Sequence, residues 1–192
     1  MGGDNNMKVL LRGPLLSLSG YGIHSRQVFQ WLESIPNIDI TVEVLQWGLT
    51  SWLVNGDLED GLIGRILECS KTIEKGKYDL SFQVQLPDEW DSTLAVKNVG
   101  ITAAVETDKC NPDWIHHCNN MDAVIVPSTF TKSVLEKSGE LTTDITVIPE
   151  WFNNNILKCN EGLDIELPCQ TNYLLIGTTT ALTPTDDRKN IY

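Results

Sequence analysis

Residues 7–35 read MKVLLRGPLLSLSGYGIHSRQVFQWLESI, and this stretch contains the pattern that decides the fold. The apolar run 9–11 has the length of a buried strand. After a glycine-containing connection, apolar residues recur three and four positions apart, as on one face of a helix, at Val28, Trp31, Leu32 and Ile35. A buried strand followed by an amphipathic helix predicts the first part of an α/β fold.

The same alternation continues along the chain. Further strand-length apolar runs occupy residues 40–45, 80–84, 99–105, 123–126 and 145–148. A second helical face is predicted from Leu62, Ile63, Ile66, Leu67, Ser70 and Ile73. Asn111-Pro112 and Ser128-Thr129 are typical helix starts, the latter before Phe130, Val134 and Leu135. Alternating strands and helices predict a Rossmann-like, doubly wound parallel sheet in three α/β/α layers.

Composition restricts the classes of partner. The chain has 192 residues, with 14 basic and 26 acidic side chains and a formal charge of −12. It has no cluster of Lys and Arg that could follow a nucleic acid backbone, so neither nucleic acid nor an anionic membrane is expected as a main partner. The N-terminus lacks a signal-peptide pattern, and no apolar run is long enough for a membrane span, so we expect a soluble, cytoplasmic protein. Five widely spaced cysteines favour free thiols.

The chain divides into three parts. Residues 1–152 are predicted to form a Rossmann-like N-terminal domain, and the polar stretch 153–171 a linker. Residues 172–192 contain one more apolar strand and a loop with Arg188 and Lys189. One strand cannot form a sheet by itself, so we interpret this segment as the start of a second, truncated domain.

The loops after the strands are the places to seek function, because parallel sheets bind ligands at the carboxyl ends of their strands. Gly20, Tyr21 and Gly22 precede the first helix, where a phosphate could meet free backbone N–H groups, with His24 close by. A tight turn without a ligand explains the glycines equally well. The spacing is not GxGxxG, which argues against a dinucleotide-binding oxidoreductase.

Acidic and polar residues follow the predicted strand 99–105. Glu106 and Thr107 could hydrogen-bond a sugar, and the Glu106 carboxylate could stabilise positive charge at an anomeric carbon. Asp108 is better explained as an acid that precedes a helix. Cys110, His116, His117 and Cys118 do not match a common zinc spacing, so no metal site is predicted. Arg188 and Lys189 could neutralise a departing diphosphate.

Four segments together resemble a known family. They are KVLLRGPLLSLSGYGIHSR at 8–26, NVGITAAVETDKCNPDWIHHCNNMDAVIVPSTFTKSVLEKSG at 98–139, ITVIPEWFN at 145–153 and LLIGTTTALTPTDDRKNIY at 174–192. Their order and spacing resemble the group-1 (family four) retaining glycosyltransferases. The resemblance implies the GT-B architecture, in which two Rossmann-like domains face a cleft, and a nucleoside-diphosphate sugar as the donor substrate without a metal cofactor.

The resemblance also implies roles for individual residues. Gly20, Tyr21, Gly22, Arg188 and Lys189 correspond to positions that bind the donor diphosphate. Glu106 is the candidate catalytic residue, although relatives place a histidine in that region and this chain does not. The candidate acceptor or sugar contacts are His24, Thr107, Asp108, Ser128 and Glu150.

The sequence therefore predicts transfer of a sugar, with retention, to a glycan, lipid or other sugar acceptor. Because most of the donor pocket would belong to the truncated domain, we expect poor activity from these 192 residues alone. The alternative is a non-catalytic, single-domain Rossmann-like binding or scaffolding module. An apolar surface left open by a missing domain could also support a homodimer.

Overall fold

The computed structural model describes residues 6–152, which belong to one unit that ends at Phe152. Strands and helices alternate along this part of the chain. The strands are β1 (Met7–Gly13), β2 (Ile38–Val44), β3 (Tyr78–Val84), β4 (Ala95–Ile101), β5 (Ala123–Val126) and β6 (Ile145–Val147). The helices are α1 (Gly20–Glu33), α2 (Leu62–Cys69), α3 (Pro112–Asn119) and α4 (Thr129–Ser138), with a 3-10 turn at Pro87–Glu89.

All six strands join one parallel sheet in the order β2-β1-β3-β4-β5-β6. The predicted Rossmann-like α/β fold is confirmed. The chain moves from β1 outward to β2 and then returns past β1 to β3, so the direction of winding reverses between β1 and β3. In folds of this kind, the carboxyl ends of the strands at such a reversal form the ligand-binding crevice.

The strand register separates two apolar layers. One face of the sheet packs against α1 and α2, and its buried residues include Val9, Leu11, Val42, Phe82, Val84 and Ile101 from the strands and Phe29, Leu32, Ile63 and Ile66 from the helices. The other face packs against α3 and α4, through Val124, Val126, Ile115, Cys118 and Leu135. The sheet is therefore buried on both sides, as expected for parallel strands.

A buried polar network on the second face supports the segment after β3. The side chain of Gln83 is fully buried; its Nε2 donates to the carbonyl of Asp91 at 2.8 Å, and its Oε1 accepts from the backbone N–H of Asp91 at 2.8 Å. The indole of Trp90 donates to the carbonyl of Gln83 at 3.0 Å. Because both ends of its amide are hydrogen-bonded, Gln83 has a structural role.

Several predicted boundaries are wrong. The strand predicted at 99–105 ends at Ile101, and α1 ends at Glu33, before Ile35. Helix α2 ends at Cys69, before Ser70 and Ile73. The predicted linker and second domain lie outside the described residues. No helix within residues 6–152 has both the length and the apolar character needed to cross a membrane.

Candidate functional site

The first turn of α1 contains the residues that were predicted to form a glycine loop. Helix α1 begins at Gly20 because Ser19 caps it, with Ser19 Oγ accepting a 3.0 Å hydrogen bond from the N–H of Gly22. The interpretation of this segment as a loop is therefore wrong. The first backbone N–H groups of a helix have no partner within the helix. With that of Gly22 bound to Ser19, those of Gly20 and Tyr21 have no acceptor in the described part of the chain.

The two glycines of this turn have different surroundings. A Cβ atom at Gly22 would collide with the carbonyl oxygen of Ser17 and would lie 2.7 Å from its Oγ. Gly22 is therefore required for packing. A Cβ at Gly20 would meet no atom within 4 Å. Open space at Gly20 leaves the helix start accessible to a ligand.

Tyr21 connects α1 to the turn that follows β4. Its hydroxyl lies 2.9 Å from Thr102 Oγ1 and accepts hydrogen bonds from the N–H groups of Ala103, at 3.1 Å, and Ala104, at 3.3 Å. Its ring stacks on Trp47, with 4.2 Å between ring centroids. Burial raises the pKa of the phenol, and the negative charge of Glu150 adds to this effect while the hydrogen bonds oppose it. Tyr21 thus lies within the electrostatic reach of Glu150.

The turn after β4 explains why the strand stops early. Ala104 has a φ of 50°, in the left-handed region, which an alanine adopts at a cost of about 1 to 2 kcal/mol. Its N–H also bonds Thr102 Oγ1 at 3.0 Å, a hydrogen bond within the turn rather than to β5. Left-handed residues other than glycine often accompany functional sites.

Glu106, Thr107 and Asp108 lie beyond this turn rather than directly after the strand. All three are exposed, and the hydroxyl of Thr107 donates to the carbonyl of Lys109 at 2.7 Å. The cap of α3 is Asn111, whose side chain accepts from the N–H of Asp113. Asp108 therefore precedes the helix without belonging to its first turn.

His24 and Glu150, two predicted sugar contacts, lie together. His24 is in the second turn of α1 and is only 9% exposed. Its Nδ1 lies 3.2 Å from Oε1 of Glu150, which follows β6. The hydrogen bond from His24 lowers the pKa of Glu150, against the effect of burial. The structure therefore holds an ionised carboxylate beside an imidazole at the carboxyl end of the sheet.

The sequence did not indicate Gln27. This residue is 8% exposed, and its Nε2 donates a 2.6 Å hydrogen bond to the carbonyl oxygen of Trp151. The only signal in the sequence is its spacing, since Tyr21, His24 and Gln27 follow one another at intervals of three on the same helix. We refer to Tyr21, His24, Thr102, Ala104 and Glu150 as the strand-end cluster.

Of the remaining predicted positions, one caps a helix and two lie outside the described residues. Ser128 caps α4, where its Oγ accepts from the N–H of Thr131 at 3.1 Å. Arg188 and Lys189 lie outside the described residues.

Burial raises the pKa of Cys118 to about 12, with the nearby Cys110 adding to the shift. Within residues 6–152, no three His, Cys, Asp or Glu side chains are arranged so that they could hold a metal ion.

Comparison with known proteins adds no family to this description. The chain matches no protein-family model, no curated protein and no solved structure. The described residues define an α/β protein with a six-stranded, all-parallel Rossmann-like sheet. This architecture is compatible with one half of a GT-B fold.

Proposed function

We propose that the protein is a nucleotide-sugar-dependent glycosyltransferase of the GT-B type, and that the strand-end cluster is its acceptor-binding site. The observation that carries the proposal is the pair formed by His24 and Glu150, 3.2 Å apart at the carboxyl end of a parallel sheet. An ionised carboxylate accepts hydrogen bonds from hydroxyl groups, which are the reacting groups of a sugar acceptor. The Glu150 side chain is 39% exposed, so it remains accessible to such a ligand.

The start of α1 is the proposed contact for the donor diphosphate. Helix α1 has 14 residues, and its first turn presents the N–H groups of Gly20 and Tyr21. A helix start of this kind carries a partial positive charge that favours phosphate. Arg188 and Lys189 are proposed to supply further positive charge as the diphosphate leaves.

The proposed reaction replaces the bond between the anomeric carbon and the diphosphate by a bond to an acceptor oxygen, with retention of configuration, and the proton of the acceptor hydroxyl leaves with the departing diphosphate. We propose that Glu150, held by His24, orients the acceptor hydroxyl. Glu106 is proposed to stabilise positive charge on the transferred sugar. Positioning of two substrates and electrostatic stabilisation of the leaving group would supply most of the rate. No cofactor other than the nucleotide sugar is proposed.

Calorimetric titration with UDP and with GDP tests the donor part of this proposal. We expect one of the two to bind the wild-type chain, and Gly20→Val to weaken that binding at least tenfold, because the new side chain fills the open space at the helix start. Thr129→Val is the matched control, since Thr129 is the first residue of α4 as Gly20 is of α1. Equal loss in both variants, or no binding of either diphosphate, would argue against a donor site at α1.

A second titration separates the transferase from a binding module. We expect a chain that binds a nucleoside diphosphate to bind the corresponding nucleotide sugar at the same place, in competition with it. Binding of free monosaccharides without any binding of diphosphates would favour a non-catalytic carbohydrate-binding module instead.

A further inference from the structure

Two side chains of α1 contact two consecutive residues of the segment that follows β6. His24 contacts the carboxylate of Glu150, and Gln27, three residues later on the helix, donates to the carbonyl of Trp151. Residues three apart lie on the same side of a helix, one above the other. The two contacts therefore form a continuous attachment between one helix face and residues 150 and 151.

The Gln27 amide is unusual because, among the described residues, only its nitrogen has a hydrogen-bond partner. Its side chain is buried, and Nε2 makes the short 2.6 Å bond to Trp151, whereas the buried Oε1 has no hydrogen-bond partner within residues 6–152. A buried polar atom without a partner is destabilising, so an apolar residue of similar shape would suit packing alone equally well or better. The donor function of Nε2 is what distinguishes glutamine from such a residue at this position.

We propose that Gln27 is a positioning residue for Glu150: its bond to Trp151 fixes the backbone next to Glu150 and so keeps the Glu150 carboxylate on His24. This proposal rests on the proposed function in one respect, the role of Glu150 as an acceptor contact. The positioning itself is a property of the free protein. In the part of the chain that the structure describes, the titratable groups that face the carboxylate are His24 and, at longer range, the phenol of Tyr21.

The test measures the titration of Glu150 in the absence of any ligand. In the wild type, carbon NMR of the side-chain carboxyl should give a pKa for Glu150 below the ordinary glutamate value, because His24 donates to the carboxylate. Gln27→Met keeps the length of the side chain but removes the donor. We expect the pKa of Glu150 to rise in this variant toward that of an exposed glutamate, as the carboxylate loses its fixed place beside His24.

Gln83→Met is the matched control. Gln83 is also a buried amide that bonds a backbone carbonyl, but it does so on the opposite face of the sheet, at Asp91. We expect this variant to lower the melting temperature and to leave the pKa of Glu150 unchanged. A Gln27→Met protein with a lowered melting temperature and an unchanged pKa of Glu150 would overturn the proposal, because Gln27 would then be merely structural.

A second variant keeps the proposal testable if Gln27→Met fails to fold. Gln27→Asn retains the amide and shortens the side chain by one methylene, so Nδ2 falls short of the carbonyl of Trp151. The expected rise in the pKa of Glu150 is the same, and an unchanged value again contradicts the proposal. Neither variant is tested with a sugar or nucleotide, so failure here is distinct from failure of the proposed function.

Discussion

His24 Nδ1 and Glu150 Oε1 lie 3.2 Å apart, although they belong to segments that follow two strands separated by three others in the sheet. His24 is on the helix after β1, and Glu150 comes after β6; the strands β3, β4 and β5 lie between β1 and β6. The pair therefore spans the carboxyl ends of the central strands. A contact of this kind depends on the whole sheet, which is why we propose a candidate functional site around it.

The first prediction concerns pH. The folded pKa of Glu150 is lowered, so its ionised form stabilises the folded state above the ordinary glutamate pKa, and this stabilisation is lost as the pH falls through the folded value. As the pH falls from about 6 to about 3, the free energy of unfolding should decrease less in Glu150→Gln than in the wild type. Urea unfolding at the two pH values measures this difference.

His24→Leu provides the control for that prediction. It removes the donor that lowers the pKa of Glu150, so it should reduce the pH dependence in the same direction as Glu150→Gln. If both variants keep the full pH dependence of the wild type, the result contradicts the hydrogen bond between His24 and Glu150 and its contribution to folding stability.

The second prediction separates the two glycines of α1. Gly22→Ala should lower the free energy of unfolding by about 1 to 3 kcal/mol, because its Cβ would collide with the backbone of Ser17. Gly20→Ala should change it by less than about 1 kcal/mol, or raise it, because the position is open and alanine favours a helix. Denaturant unfolding of the two proteins checks the contrast, and similar losses in both would contradict the packing described for this turn.

The third prediction concerns Tyr21. Tyr21→Phe removes the oxygen that the N–H groups of Ala103 and Ala104 share. We expect a loss of about 1 to 3 kcal/mol of unfolding free energy, since polar groups at a partly buried turn would lose a partner. Amide hydrogen exchange should accelerate at Ala103 more than at residues in β5, whose hydrogen bonds do not involve Tyr21. Unchanged exchange at Ala103 would show that the hydroxyl does not hold the turn.

Tyr21 also allows a spectroscopic check. Because burial raises the pKa of the phenol, ultraviolet titration should show Tyr21 ionising above the ordinary tyrosine value. Because the folded pKa is raised, the neutral phenol of Tyr21 contributes to folding stability. This contribution is fully present below the unfolded pKa, near 10.0, and is lost as the pH rises through the folded value. Titration of the phenol at its ordinary pKa would contradict the burial of its hydroxyl.

Most of the fold could be predicted from the sequence because the signal is local. Each strand of the sheet overlaps a predicted apolar run, such as Val9 to Leu11, and the caps at Asn111 and Ser128 are short-range patterns. The end of β4 could not be predicted in this way. Thr102, Ala103 and Ala104 resemble a strand, but the N–H groups of Ala103 and Ala104 donate to the distant Tyr21 hydroxyl.

The candidate site was less predictable from the sequence because it too depends on contacts between residues far apart in the chain. His24 and Glu150 were expected to bind sugar, but nothing local indicated that they contact each other across 126 positions of sequence. Gln27 resembles an ordinary polar residue of an amphipathic helix until the segment after β6 is placed against it. Gly20 and Gly22 suggested a loop because the capping by Ser19 depends on backbone geometry.

The most direct test of the central claim is the location of a bound nucleotide sugar. Amide nitrogen NMR spectra of the labelled chain, recorded during titration with UDP-glucose and with GDP-mannose, report that location residue by residue. We expect the largest shifts at Gly20 and Tyr21, with smaller ones at His24 and Glu150. Shifts confined to the groove beside the start of β2, which is lined by Glu33, Ile38 and Cys69, or no shifts with either compound, would contradict the assignment of the site.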